Sequence, residues 1–243
     1  MKRCKILIKG LWKPKQIKVR LVTRSLIADD LCKTDQNAID VRWYEVLREN
    51  PWTFNGPTIR LIDWHRNKGE LIMEVISSDY KERCSLGYLG IAMVPVTQDN
   101  HIVLQGPCKK HDFGKNHRLP GCTPTDTDML PKVIQEMYEE FAATGITEDG
   151  LNVLGLIDEG YDDPERRYTL VVMVTYPGDF NKLKKTWNKE VISDKGRNEG
   201  EPIKLKVDRE NGKIIKEGKK IQIELSNCLI LLLILENILG DPK

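Results

Sequence analysis

The sequence predicts an α+β fold built on a mixed β-sheet. Three observations carry that prediction: short runs in which apolar and polar residues alternate, a smaller number of segments with helical periodicity, and the lack of a regular strand-helix-strand beat. At 243 residues the chain is long enough to bury one sizeable core.

Lys5 to Lys9 and Ile17 to Val22 alternate as strands do, and Gly10 and Pro14 between them predict a turn. Over 36–50, Ile39, Val41, Tyr44, Val46 and Leu47 fit an amphipathic helix, with Asp35 as its cap and Pro51 after its end. Two hairpins are expected next. Pro57 to Asp63 pairs with Glu70 to Ile76 across Asn67-Lys68-Gly69, and Leu89 to Val96 pairs with Ile102 to Gln105 across Gln98-Asp99-Asn100.

A polar stretch from Gly106 to Gly121 leads to a helix over Asp128 to Thr144, with Asp128 as N-cap, Pro131 in the first turn and Gly145 past the end. Strands follow at Leu151 to Ile157 and Tyr168 to Tyr176, then a helix near Phe180 to Trp187, a strand at Ile203 to Val207 and a short one near Ile214 and Ile215. The apolar run Cys228 to Leu235 is far short of the roughly 20 residues a bilayer requires, so a buried terminal helix is expected.

Composition narrows the function classes. With 38 basic and 36 acidic residues the formal charge is +2, and the lysines of Asp179 to Lys220 are interspersed with acids, so a solvated surface and no nucleic-acid partner are expected. Cys4, Cys32, Cys84, Cys108, Cys122 and Cys228 form no C-x-x-C pair, which argues for reduced thiols and against a zinc knuckle or redox dithiol. His65, His101, His111 and His117 lack the H-x-x-x-H spacing of a histidine metal site. Met1 to Ile8 has no signal-peptide core, so a cytoplasmic protein without a membrane partner is expected.

The chemistry concentrates in Pro131-Lys-Val-Ile-Gln-Glu136-Met-Tyr-Glu139-Glu140-Phe. On a helix Glu136, Glu139 and Glu140 cluster, while Leu130, Ile134, Met137 and Phe141 form the neighbouring apolar face. Three carboxylates within a turn repel unless a cation sits among them, and hard oxygen donors suit magnesium or manganese. The alternative is a solvated face on which Lys132 pairs with Glu136.

Read with Leu119-Pro120-Gly121 ahead of it, this helix resembles the box of the Nudix superfamily, G-x5-E-x7-R-E-U-x-E-E-x-G-U with U aliphatic. Laid without gaps from Gly121, the box matches Glu136, Glu139 and Glu140, while Thr127, Gln135, Ala142 and Ala143 stand where the family has glutamate, arginine, glycine and a larger aliphatic residue. A narrower likeness covers about 37 to the C-terminus. Asp40-Val-Arg-Trp43, Asn50-Pro51-Trp52-Thr-Phe54-Asn55-Gly56-Pro57, Arg60-Leu61 and Ser78-Asp-Tyr80-Lys81 are similar to the region ahead of the box in the Nudix UDP-glucose/UDP-galactose pyrophosphatases, which also carry glutamine where arginine is usual.

The resemblance implies a Nudix α/β/α sandwich, with 1–85 as an added N-terminal strand-helix-strand extension and 86–243 as the hydrolase domain. It implies magnesium, or manganese, held by Glu136, Glu139 and Glu140 with Gly121, the acids being the catalytic residues. Glu136 would be a third ligand or the general base, and the charged loop 158–167 offers Asp162, Asp163 and Glu165 as a further carboxylate. The implied substrate is a nucleoside-diphosphate compound, a UDP-sugar cleaved to UMP and sugar 1-phosphate.

Arg118 and Lys110, with Lys109, are candidate phosphate contacts or plain loop charges. Trp52 and Phe54 either stack a base or sugar or anchor their turn in the core. The retained acids point to catalysis, and the altered box to a non-catalytic nucleotide- or protein-binding module. Family members often dimerise, so a homodimer belongs among the implied assemblies.

Overall fold

Among the described residues, eleven strands and four α-helices follow the order read from the sequence, with two short elements added. The computed structural model describes residues 4–23, 36–51, 53–106, 117–160, 167–193, 200–208, 213–216 and 230. Strands β1 (Lys5–Trp12) and β2 (Ile17–Leu21) flank a 3-10 turn at Pro14–Gln16 and precede helix α1 (Gln36–Glu49). Then come β3 (Pro57–Asn67), β4 (Glu70–Asp79), helix α2 (Tyr80–Leu86), β5 (Tyr88–Thr97), β6 (His101–Gln105) and the two-residue β7 (Gly121–Cys122). Helix α3 (Met129–Phe141), β8 (Leu151–Asp158), β9 (Arg167–Tyr176), helix α4 (Phe180–Ser193), β10 (Pro202–Asp208) and β11 (Lys213–Lys216) complete the described elements.

These form two mixed sheets. The larger runs β1-β8-β9-β5-β6-β10-β11, with β7 also paired to β5; the smaller runs β2-β4-β3. Among the described residues, parallel pairing is confined to β5 with β9 and to β2 with β4. The α+β class with mixed sheets is therefore as expected. The segment before residue 86 is divided between the sheets: β2, β3 and β4 make the small one, while β1 pairs antiparallel with β8 at the edge of the large one.

Strand alternation builds the core. Leu89, Ile91 and Met93 of β5 join a cluster with Met129, Val133, Met137 and Phe141 of α3 and with Ile59, Leu61, Leu71, Met73 and Val75 of the small sheet. Val94 and Val96 turn to the opposite face and pack with Ile102, Leu104, Leu154, Val171 and Ile230. Helix α3 and the small sheet thus contribute to one cluster, under one face of the large sheet. Ile230 is helical and buried; the rest of the expected terminal helix, like the cap at Asp35, lies outside the described residues.

Four local readings change. In α1 only Ile39 is buried, while Val41 and Tyr44 are exposed, so its inward face is narrower than the proposed stripe. The buried line of α3 is Met129, Val133, Met137 and Phe141 at every fourth residue, with Leu130 and Ile134 only half-buried beside it. Helix α3 stops at Phe141 rather than Thr144, because Ala142 takes a left-handed conformation (φ 52°) and its N–H bonds the carbonyls of Met137 and Tyr138. Asp128 does stand at the N-cap, but its side chain makes no cap hydrogen bond. Among the described residues no helix is long and apolar enough to cross a membrane.

Candidate functional site

The strand leading to the acidic helix is placed by contact rather than by length. In β7, Gly121 pairs with Ala92 and Cys122 with Ile91, and the Met93 N–H donates to Pro120 O at 2.8 Å. A Cβ at Gly121 would lie 2.7 Å from the Ile91 carbonyl oxygen, so glycine is what lets the segment come this close to β5. One step earlier, Arg118 and Gln105 exchange backbone hydrogen bonds of 3.0 and 2.8 Å, fastening the start of the segment to β6.

Helix α3 then presents Glu136, Glu139 and Glu140 beside this segment, because Val133, Met137 and Phe141 bury the other face. Burial pushes the Cys122 thiol up to about 12, and the carboxylates of Glu136, Glu140 and Glu139 add to the rise while Lys132 opposes it. Partial burial of Lys132 is outweighed by Glu136 and Glu139, so its ammonium is held above the ordinary lysine value. The region around Cys122 is therefore negative, with all three acids contributing.

Each acid has a named partner. Lys132 Nζ lies 2.9 Å from Glu136, the pairing expected of a solvated face, although the Glu136 side chain is only 16% exposed. Gln135 Nε2 donates to Glu139 Oε1 at 2.6 Å. The buried Gln105 amide donates to Glu140 and accepts from Arg118 Nε at 2.7 Å. Arg118 is thus held beside the acid helix; Lys109, Lys110, Asp162, Asp163 and Glu165 lie outside the described residues.

On donor chemistry the carboxylates suit a hard divalent cation. Among the described residues no three His, Cys, Asp or Glu side chains form a ready ligand cluster; Lys132, Gln135 and Gln105 hold the three acids instead.

No protein-family model matches the chain. No curated protein matches it significantly. Among solved structures it is similar to a crystal structure from Sinorhizobium meliloti that carries a provisional description as an oxidoreductase, with 11% identity, a TM-score of 0.35, and coverage of 76% of this chain and 60% of that one. The chain spans about 60% of that protein's length.

Several residues ahead of the acidic helix meet at one junction. Tyr80 N–H donates to Gly56 O at 2.8 Å, Lys81 N–H to Asn55 Oδ1 at 2.8 Å, and Asn55 Nδ2 to Asp79 Oδ2 at 3.0 Å. Asp79 caps α2 by accepting from the Glu82 N–H, Lys81 pairs with Asp40, and Trp43 meets the Tyr80 ring edge-on. The turn through Asn55 and Gly56 therefore docks the start of α2. Phe54 is 79% exposed and does not anchor the turn in the core; Trp52 lies outside the described residues.

Sequence reasoning missed Gln105. Its signal was present: it shares the inward parity of Val103 on β6, yet it is polar and fully buried.

Proposed function

We propose that this chain is a Nudix-type, magnesium-dependent pyrophosphohydrolase that cleaves a nucleoside-diphosphate-linked compound, a UDP-sugar giving UMP and sugar 1-phosphate. The observation that supports this reading most is that Glu136, Glu139 and Glu140 stand within one turn of α3 and all act on Cys122 of the neighbouring strand, with Arg118 tethered to Glu140 through Gln105. The Nudix sandwich, a cytoplasmic location and a homodimer belong to the same reading.

Bound magnesium, or manganese in its place, would neutralise diphosphate oxygens and make a water acidic enough to attack phosphorus. Glu139 and Glu140 would hold it, and Glu136 would be a third ligand or accept the water's proton. For Glu136 to do either, its carboxylate must be shared with or released by Lys132, which stands 2.9 Å away. Arg118 would offset charge on the departing phosphate, and Gln105 keeps its guanidinium oriented. Gly121 keeps the strand close to β5.

The test is hydrolysis of UDP-glucose, ADP-ribose and dinucleoside polyphosphates by the purified protein with magnesium, beside Glu139→Gln and Glu140→Gln. Cleavage of UDP-glucose that falls by about 100-fold or more in each variant is the expected result. No cleavage of any of these, with no magnesium bound, would replace the hydrolase with a non-catalytic nucleotide- or protein-binding module, a reading favoured by the Lys132–Glu136 pair.

A further inference from the structure

A second polar site lies at the N-terminal ends of the parallel pair β5 and β9. Tyr88 pairs with Arg167 there, and both share the strand parity of Ala92 and Val171, which belong to the core face turned away from α3. Tyr88 is three residues, or about 10 Å, along β5 from Ile91, the partner of Cys122. Arg42, Val46, Tyr80, Arg83, Gly87, Tyr88 and Arg167 line a half-open cavity of about 120 Å³ at this end.

Its chemistry is one-sided. Among the described residues three guanidinium groups line it, and no acidic residue does. Arg42 has an ion pair with Glu45 on its own helix. Arg83 is half-buried, and its hydrogen bond among the described residues goes to a neutral group, the Thr123 hydroxyl at 2.7 Å. Arg42 and Arg167 are exposed, so Arg83 is the cation of the three drawn out of water, and a guanidinium so placed ordinarily has an anion beside it.

Arg83 is also fixed in advance. Its guanidinium carbon stands 3.8 Å from the Tyr88 ring centroid and 4.7 Å from that of Tyr80, so the two rings hold it. The rings are thereby covered by the cation. A guanidinium has five N–H donors in a planar fork that matches a phosphate, and Arg83 spends one on Thr123. The volume equals the share of about four liquid waters, enough for a phosphate group and far below the several hundred Å³ of a site that encloses a nucleotide.

We propose that this cavity is a phosphate-binding site, in which Arg83 and Arg167 bind inorganic phosphate or the phosphate end of a small phosphorylated molecule. It is separate from the acid cluster and independent of the hydrolase reading. The ligand is an anion taken up by guanidinium groups, without a divalent cation.

The experiment uses the full chain in EDTA, which removes any contribution of a metal at the acids. The thermal midpoint and calorimetric binding are followed against inorganic phosphate, uridine 5′-monophosphate and glucose 1-phosphate, with chloride at equal ionic strength as control. A saturable rise in midpoint with one or more of them is expected. It should weaken by about tenfold or more in Arg167→Gln, whose exposed position leaves the fold intact, and in Arg83→Gln, and persist in Glu139→Gln. Binding of all three identifies the phosphate group alone as the ligand; binding of the organic phosphates only identifies a phosphorylated metabolite. No saturable shift beyond chloride, or an equal shift in Arg167→Gln, overturns the proposal.

Discussion

Gln105 accepts a 2.7 Å hydrogen bond from Arg118 Nε while its own amide nitrogen donates to Glu140, so one buried, uncharged side chain joins a base to an acid. Replacing it with leucine keeps the volume and removes both contacts. Gln105→Leu is expected to lose about 1–3 kcal/mol of stability, the range for stranding buried polar partners. Urea unfolding measures it, and an unchanged midpoint would show that neither partner depends on the amide.

Gly121 makes a second, steric prediction. An alanine methyl would press to 2.7 Å from the Ile91 oxygen, and both neighbours are backbone, so one strand must shift. Gly121→Ala should cost about 1–3 kcal/mol. Because β7 leads into α3, it should also weaken any magnesium binding measured by titration, more than Gly69→Ala does in its open hairpin loop.

The hairpin between β3 and β4 turns on Lys68 and Gly69, with φ of 47° and 84°. Two positive φ values in a two-residue loop define the turn type that favours Asn-Gly, and lysine is a poor occupant of the first position. Lys68→Asn should raise stability by about 0.5–1 kcal/mol, read as a higher melting temperature with no effect on ligand binding.

Asp99 supplies a pH dependence. Burial alone would raise its carboxyl, but hydrogen bonds from Thr97 and the Phe180 backbone, and the charge of His101 3.0 Å away, hold it below its ordinary 3.8. A carboxylate depressed in the folded state stabilises above its unfolded value and loses that contribution as pH falls through the folded one. Melting temperature should therefore fall less steeply with acid, beneath about pH 4, in Asp99→Asn, which can still accept the Phe180 N–H. An identical acid limb in the two proteins would refute it.

Strand period and turn chemistry made most of the fold legible, since β5, β8 and β9 are long apolar runs and Lys68-Gly69 is a turn by composition. Helix α2 escaped because seven residues are too few to display a period, and its start is set by Asp79, Asn55 and Gly56. A two-residue strand such as β7 has no period at all; it exists because glycine permits a close approach. The acids of α3 were visible as neighbours one turn apart. Arg42, Arg83 and Arg167 were not, because only the pairing of Tyr88 with Arg167 brings such distant residues into one cavity.

The pairing of Lys5 with Asp158 sets an order of events during synthesis. Strand β1 is made early, yet its partner β8 emerges only after some 150 further residues, so the growing chain holds an unsatisfied edge until Asp158 is released. The small sheet, whose strands lie within Ile17 to Asp79, has all its members far sooner. A nascent chain should therefore assemble the small sheet first and close its larger neighbour last, with β1 waiting as the segment most exposed to wrong partners.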